Sequence, residues 1–260
     1  MVRGQHPRAG ARRAEGRAGV STTLDTAMLM AAGLGKRMRP LTATRPKPLV
    51  RVAGQALMDH ALDRIEEAGI RRTVVNVHYL PDAIEGHLVT RARRTGADYP
   101  ISDERARLLE TGGGLVHALP LLGERPFLCA NSDNLWTNGA VDSIRALAAI
   151  WDDARMDALL LMVPHARAGG HTGPGDFRMD ALGRLSRRAP GRVAPFVFSG
   201  VQILSPRLIV DPPGAVFSTN IFWDRAIAAG RAFGFVHLGQ WFDVGTPQAI
   251  PLVEAGLAGG

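Results

Sequence analysis

The sequence predicts an α/β protein with a mixed, mainly parallel central sheet flanked by helices. Three observations carry that prediction. Strand-like and helix-like segments alternate from residue 26 to residue 163, the pattern of parallel strands joined by crossover helices. The alternation breaks in the second half, where short strand-like runs point to mixed or antiparallel additions. With 46% apolar residues in 260 and no internal repeat, residues 26–260 can bury a core as one structural unit.

Each element has a local reason. Thr26–Ala32 reads as a buried first strand, too short for a helix and closed by Gly33. Ala56–Ala68 carries Leu57, Ala61, Leu62, Ile65 and Ala68 at helical spacing, and Gly69 ends it. Arg72–Val77 is a second strand. Leu80, Ile84 and Leu88 recur every four residues, so a helix is expected from Pro81, whose missing donor costs nothing in a first turn. Asp98–Asp103 reads as a short strand, followed by a turn at Gly112-Gly113-Gly114 and a short helix to Leu119. Phe127–Ala130 is a buried strand ending at Asn131-Ser132-Asp133. Ile144–Ile150 lies in a helix and Ala158–Val163 in another interior strand. Asp176–Asp180 and Phe196–Leu204 follow as strands, the latter interrupted at Ser199-Gly200. Ser218–Ala229 is expected to be helical, Phe233–Leu238 a strand, and a last helix runs from Pro247.

Charge is distributed unevenly. The net charge is +7, of which residues 1–25 carry +3, residues 26–50 carry +5 with no acid, and the rest of the chain −1. A nucleic-acid binder spreads its cations along a face or several helices. Here they gather beside a glycine-rich turn, which points to a compact anionic ligand and away from nucleic acid. No apolar run approaches the roughly 20 residues that span a bilayer. Residues 1–25 are read as a disordered tail without a secretory core, and the cytoplasm is the expected compartment. Cys129 is the single cysteine, so an intrachain disulfide is excluded, and its apolar surroundings point to inert burial. The histidines form no zinc-hydrolase pattern, although His78, just after a strand end, is placed to line a pocket.

The most informative stretch runs from Ala31 to Val50. Gly33 and Gly35 let the backbone pass close to a ligand and present N–H groups to phosphate oxygens. Arg37 adds a planar fork and Lys47 a mobile point charge. Pro40, Pro46 and Pro48 fix the course of the loop. A dinucleotide fingerprint would need a third glycine where Met38 stands, and a Walker A loop would need Ser or Thr where Arg37 stands. Asp133, at the end of a buried strand, and Asp243, in Phe-Asp-Val-Gly-Thr, both read as carboxylates at an edge of the core. Helix or turn capping is the competing role for each.

Gly33-Leu-Gly-Lys-Arg-Met-Arg-Pro-Leu-Thr and Arg45-Pro-Lys-Pro-Leu-Val resemble the signature loop of the sugar-1-phosphate nucleotidyltransferases, and the likeness covers about residues 26–257. Glu110-Thr-Gly-Gly-Gly, Gly175-Asp-Phe-Arg and Trp241-Phe-Asp-Val-Gly-Thr look most like the bacterial N-acetylmuramate-1-phosphate uridylyltransferase branch. The resemblance implies a Rossmann-like, GT-A-like fold and a reaction of a nucleoside triphosphate, UTP first, with a sugar 1-phosphate, in cell-wall recycling. It implies Mg²⁺ held by Asp133 and Asp243, with Arg37, Lys47 and Asp133 as the catalytic groups. It implies nucleotide contacts from the Ala31–Arg37 loop, Gly112 and Gly113. On the sugar side it implies Lys47, His78, Glu110, Asp176, Arg178 and Gly200. Asp103, Glu104 and Asp176 stay open as rival acids for the metal. Guanylyl transfer to mannose 1-phosphate, thymidylyl or uridylyl transfer to glucose 1-phosphate, and a noncatalytic nucleotide sensor remain alternatives. No membrane partner is expected, and the oligomeric state stays open.

Overall fold

Residues 23–258 are described in the computed structural model. The expected tail therefore lies, up to residue 22, outside the described residues; Asp25 pairs with Arg125 just before the first strand.

In chain order, β1 (Thr26–Met30) leads through a long loop to the hairpin β2 (Arg51–Val52) and β3 (Gln55–Ala56). Next come α1 (Leu57–Glu67), β4 (Arg72–Val77), α2 (Pro81–Thr95), β5 (Ile101–Asp103), α3 (Glu110–Leu122) and β6 (Phe127–Asn131). Then follow β7 (Asn134–Trp136), α4 (Ser143–Ile150), β8 (Ala158–Pro164), β9 (Phe177–Met179), β10 (Leu185–Arg187) and β11 (Phe196–Leu204). The chain continues with α5 (Asn220–Ala228), β12 (Ala232–Val236), β13 (Trp241–Asp243) and α6 (Ala249–Ala258).

Nine strands form one sheet. Its first half, β6-β1-β4-β5, is parallel throughout. β11 then turns the sheet mixed: it lies antiparallel to β6, β8 and β9, while β12 runs parallel to β8. Alternate strand residues feed opposite layers, as a period of two requires. Ala27, Leu29, Val75 and Leu128 face α1, α2 and α4, whereas Met28, Val74 and Cys129 face α3 and α5. Deleting a fully buried side chain such as Leu62 would cost about 2–5 kcal/mol.

Several expectations change at the edges. The expected strand at Asp98–Asp103 shrinks to β5 plus an isolated bridge between Arg72 and Asp98. The expected strand at Phe233–Leu238 shifts to Ala232–Val236, and α5 and α6 begin at Asn220 and Ala249. The interruption foreseen in β11 is a register shift between Phe198 and Gln202, with Gly200 at φ +88.

The larger correction concerns Gly112-Gly113-Gly114. These are no turn but the first turns of α3. Each glycine in a helix costs about 1 kcal/mol against alanine, and close packing explains the choice. A Cβ would lie 2.5 Å from the Phe217 ring at Gly112, 2.2 Å from the Ala215 carbonyl at Gly113 and 2.9 Å from Glu104 Oε1 at Gly114. Local propensity gave way to tertiary contact. The pairs β2–β3 and β7–β13 and the strand β10 carry too few residues to show a period, and no strand was expected there.

Candidate active site

β1 and β6 run side by side with Met30 opposite Asn131, so the loops that leave their carboxyl ends emerge together. That edge of a parallel sheet is where ligands bind in open α/β folds. A cavity of about 420 Å³ opens there. Its walls are Met30–Leu34 and Lys36 from the first loop, Lys47 and Pro48, Asn76, Glu104, Leu108, Glu110, Thr111 and Asn131–Asp133.

The glycine loop is folded back on itself. Gly35 has φ +59, and a Cβ there would lie 2.9 Å from Lys47 Cβ, so only glycine brings the two strands of the loop this close. Thr42 Oγ1 and the Met38 amide both donate to the Gly35 carbonyl, at 2.8 and 2.9 Å. Gly33, Lys36 and Arg37 are exposed, while Met38 is buried. Ala31 and Ala32 are buried at the root of the loop, and Leu34 is half-buried against the cavity.

Lys47 is held by Pro46 and Pro48 in a short turn and is only 9% exposed. Its Nζ donates to Asp133 Oδ2 at 2.7 Å. Asp243 joins them through strand pairing rather than sequence proximity. β13 lies antiparallel to β7, which sets Asp243 opposite Asn134, and the Val244 amide donates to the Asp133 carbonyl at 3.2 Å. Trp241 Nε1 donates to the Ser199 carbonyl at 2.8 Å, locking β13 onto the bulge of β11. Gly200 makes room for this corner, since a Cβ there would lie 2.2 Å from Asn134 Oδ1.

Arg37 completes the group. A Cβ on Gly245 would lie 3.3 Å from Arg37 Nη1 and 3.5 Å from both Asp243 oxygens, so the two side chains flank that glycine. Two carboxylates and two cations therefore gather at one end of the cavity, with Lys47 and Asp133 in its wall. Burial raises the Asp243 carboxyl above the usual carboxylate range and the nearby Asp133 raises it further; Lys47, Arg37 and His171 pull the other way. Among the described residues no group of three or more His, Cys, Asp or Glu forms a protein-only metal cage. Two neighbouring carboxylates, one of them in the cavity wall, are nonetheless a donor set that suits a hard cation completing its shell with water and other oxygens.

The other expected site residues sit at varying distances from this centre. Glu110 borders the cavity and has φ +64, left-handed for a non-glycine residue. The amides of Gly112 and Gly113 are not free for a nucleotide: both donate to the Phe217 carbonyl, at 2.8 and 3.2 Å. His78 is half-buried behind the wall, its Nδ1 2.7 Å from the Glu104 carbonyl. Asp176 accepts the Phe198 amide at 2.8 Å and braces β11, and Arg178 is exposed on β9; neither lines the cavity. Of the rival acids, Asp103 pairs with Arg105 and Glu104 accepts from Asn76 and the Leu109 amide, at 2.7 and 3.1 Å.

Sequence reasoning passed over Asn76, Asn131 and His171. His171 Nε2 is buried without a hydrogen-bond partner in the Gly169–Gly175 segment that runs along Asp243. A small-residue run flanking a lone histidine was the only signal for it. Asn76 sits mid-strand among valines, where a polar residue has to be satisfied by something.

Residues 26–170 match the model of the nucleotidyl transferase family. The chain is 46% identical over 233 residues to the N-acetylmuramate alpha-1-phosphate uridylyltransferase of Caulobacter vibrioides, covering 89% of this chain and 96% of that protein. It is 34% identical over 234 residues to the protein of the same description from Neisseria meningitidis serogroup B, with 90% and 98% covered. The crystal structure of HddC from Yersinia pseudotuberculosis complexed with GMP-PN superposes with a TM-score of 0.71 at 20% identity, over 90% of this chain and all of that one, a likeness of fold.

Proposed function

The chain belongs to the nucleotidyl transferase family, and from that premise we propose that it transfers a uridylyl group from UTP to N-acetylmuramate 1-phosphate. Its general reaction is nucleotidyl transfer from a nucleoside triphosphate to a sugar 1-phosphate. The choice of sugar and base is carried by one observation, the 46% identity over nearly the whole length of the Caulobacter vibrioides protein named for that reaction.

A phosphate oxygen of the sugar 1-phosphate attacks the α-phosphorus of the triphosphate; the bond to the β-phosphate breaks and pyrophosphate leaves. The attacking phosphate is ionised near neutral pH, its second pKa being about 6, so no protein base is needed. Positioning and charge neutralisation do the rest. The loop amides at Gly33–Lys36 and the Arg37 guanidinium hold the β- and γ-phosphates. Lys47, a fixed cation at the floor of the cavity, meets the phosphate oxygens where charge builds up, and Asp133 keeps its ammonium aimed inward. Asp133 and Asp243 would hold Mg²⁺, whose chemistry is to neutralise the triphosphate and polarise its α-phosphate. Glu110 and Asn131 bound the nucleoside and sugar space. The product would return a cell-wall sugar to nucleotide-activated form.

A panel of sugar 1-phosphates and nucleoside triphosphates with Mg²⁺, read by product mass and pyrophosphate release, tests the assignment. N-acetylmuramate 1-phosphate with UTP is expected to give the highest kcat/KM, at least roughly tenfold above any other pair, the factor that about 1.4 kcal/mol of differential transition-state binding supplies. A preference for mannose 1-phosphate with GTP, or for glucose 1-phosphate, would overturn the substrate reading.

A further inference from the structure

Asn76 and Glu104 are each only 2% exposed, yet both border the nucleotide cavity. Asn76 Oδ1 accepts the Ala31 amide at 2.6 Å, and its Nδ2 donates to Glu104 Oε1 at 2.7 Å. The amide orientation follows from chemistry, because an N–H on one side and a carboxylate on the other allow a single assignment. Glu104 Oε2 accepts the Leu109 amide at 3.1 Å. The Glu104 backbone is tied down as well: its amide donates to the Val77 carbonyl at 2.9 Å and its carbonyl accepts from the Arg107 amide at 3.0 Å. Gly114 leaves the room for the couple, since a Cβ there would lie 2.9 Å from Glu104 Oε1 and 3.1 Å from Asn76 Nδ2.

The two ends of this chain of hydrogen bonds are informative. Ala31 is the first residue of the glycine loop after β1. Leu109 precedes Glu110, whose left-handed backbone is strained for a non-glycine residue and persists only where its surroundings hold it. The couple therefore spans the cavity from the root of the loop to the strained start of α3. Both carboxylate oxygens are engaged by the chain itself. We infer that Asn76 and Glu104 are positioning residues that fix the separation of the two walls between which the nucleoside triphosphate sits. This rests on the nucleotide reading of the cavity proposed above.

The test exchanges the polarity of the couple. In Glu104→Gln an amide replaces two acceptors, so its NH₂ meets either the Asn76 NH₂ or the Leu109 amide. In Asn76→Asp two carboxylates face each other. In the double variant, Asn76→Asp with Glu104→Gln, all three bonds can reform. The amide introduced at position 104 donates to the carboxylate introduced at position 76, and its oxygen accepts the Leu109 amide. The carboxylate at position 76 still accepts the Ala31 amide, and the total charge is unchanged.

Each single variant is expected to raise the KM and the equilibrium Kd for MgUTP by roughly tenfold or more, the weight of about 1.4 kcal/mol, with KM for the sugar phosphate close to parental. The double variant is expected to return both values near those of the parent. A double variant as impaired as Glu104→Gln would overturn the inference and make the carboxylate a direct nucleotide contact. So would an equal rise in both KM values, or parental affinity in the single variants. If a single variant does not fold, the double variant decides alone. Parental turnover with N-acetylmuramate 1-phosphate is measured beside binding. If that turnover fails while MgUTP binding and rescue hold, the substrate reading falls and the positioning role stands.

Discussion

Lys47 and Arg91 are the two Lys or Arg side chains that the described residues bury, and their surroundings differ in kind. Arg91, on α2, donates to Asp59 at 3.0 Å, Asp63 at 2.6 Å and Glu66 at 2.8 Å on α1, and to the Tyr99 hydroxyl at 2.9 Å. Burial alone would raise the Asp59 carboxyl, but hydrogen bonds and charge from His87 and Arg91 overcome it and hold it below the usual range. Lys47 has Asp133 alone, and the neighbouring Asp243 is pushed up by burial and by Asp133. Among the described residues no hydrogen-bond donor reaches the Asp243 carboxylate. The first cluster is complete and joins two helices. The second keeps a carboxylate without donors beside an open cavity, the condition that marks a site for a ligand.

That contrast can be broken most sharply at the helix joint. Arg91→Leu leaves three acids without their common cation, and removing one member of a buried ion pair costs about 3–5 kcal/mol. Urea denaturation should show a loss of that order, with kcat per folded molecule unchanged. A loss below about 1 kcal/mol, the worth of exposed pairs, would make the joint ornamental. Lys47→Ala should do the reverse. On the proposed reading this removes one fixed charge from a phosphate-transfer site and is expected to lower kcat by about 10²–10³, or roughly 2.7–4 kcal/mol, with a smaller loss of stability than in Arg91→Leu because its one partner, Asp133, is 31% exposed. Steady-state rates and a melting curve on one preparation separate the two, and near-parental turnover would remove Lys47 from the reaction.

The two clusters were not equally legible. Arg91 and its acids lie on two helices whose apolar spacing is plain, but which charges meet depends on how the helices cross, and nothing in either segment encodes that. Around the cavity, the loop from Ala31 to Lys47 announced itself because glycine, proline and unopposed cations have few other uses together. The junction of Asp133 with Asp243 is made by two very short strands far apart in the chain, too short for a period to register. The glycine tract at 112–114 misled for the opposite reason. Glycine signals a turn locally, whereas here it admits Phe217, Ala215 and Glu104 against a helix. Asn76 carried no signal beyond its polarity in a valine-rich strand, because its partners, Ala31 and Glu104, lie 45 and 28 residues away in the chain.

The smallest effect is the most telling about sign. Asp59 has a lowered folded pKa, so it contributes stability above its ordinary value of 3.8, and that stability is lost as pH falls through the folded value. Asp243 has a raised one, so its contribution is present below 3.8 and is lost as pH rises through its folded value. At neutral pH the Asp243 carboxylate is thus destabilising in the free protein, and on the proposed reading the bound metal and triphosphate offset it. Asp243→Asn should melt higher than the parent at neutral pH without ligand, and the difference should shrink toward zero as the pH is taken below 3.8. Asp59→Asn should melt lower at neutral pH, with its deficit also closing in acid. With MgUTP present the order at position 243 should invert, because the parent gains more from binding than a variant lacking one of the two proposed metal carboxylates. If Asp243→Asn is instead destabilised at neutral pH without ligand, its carboxylate is satisfied within the fold and the distinction between the two clusters fails.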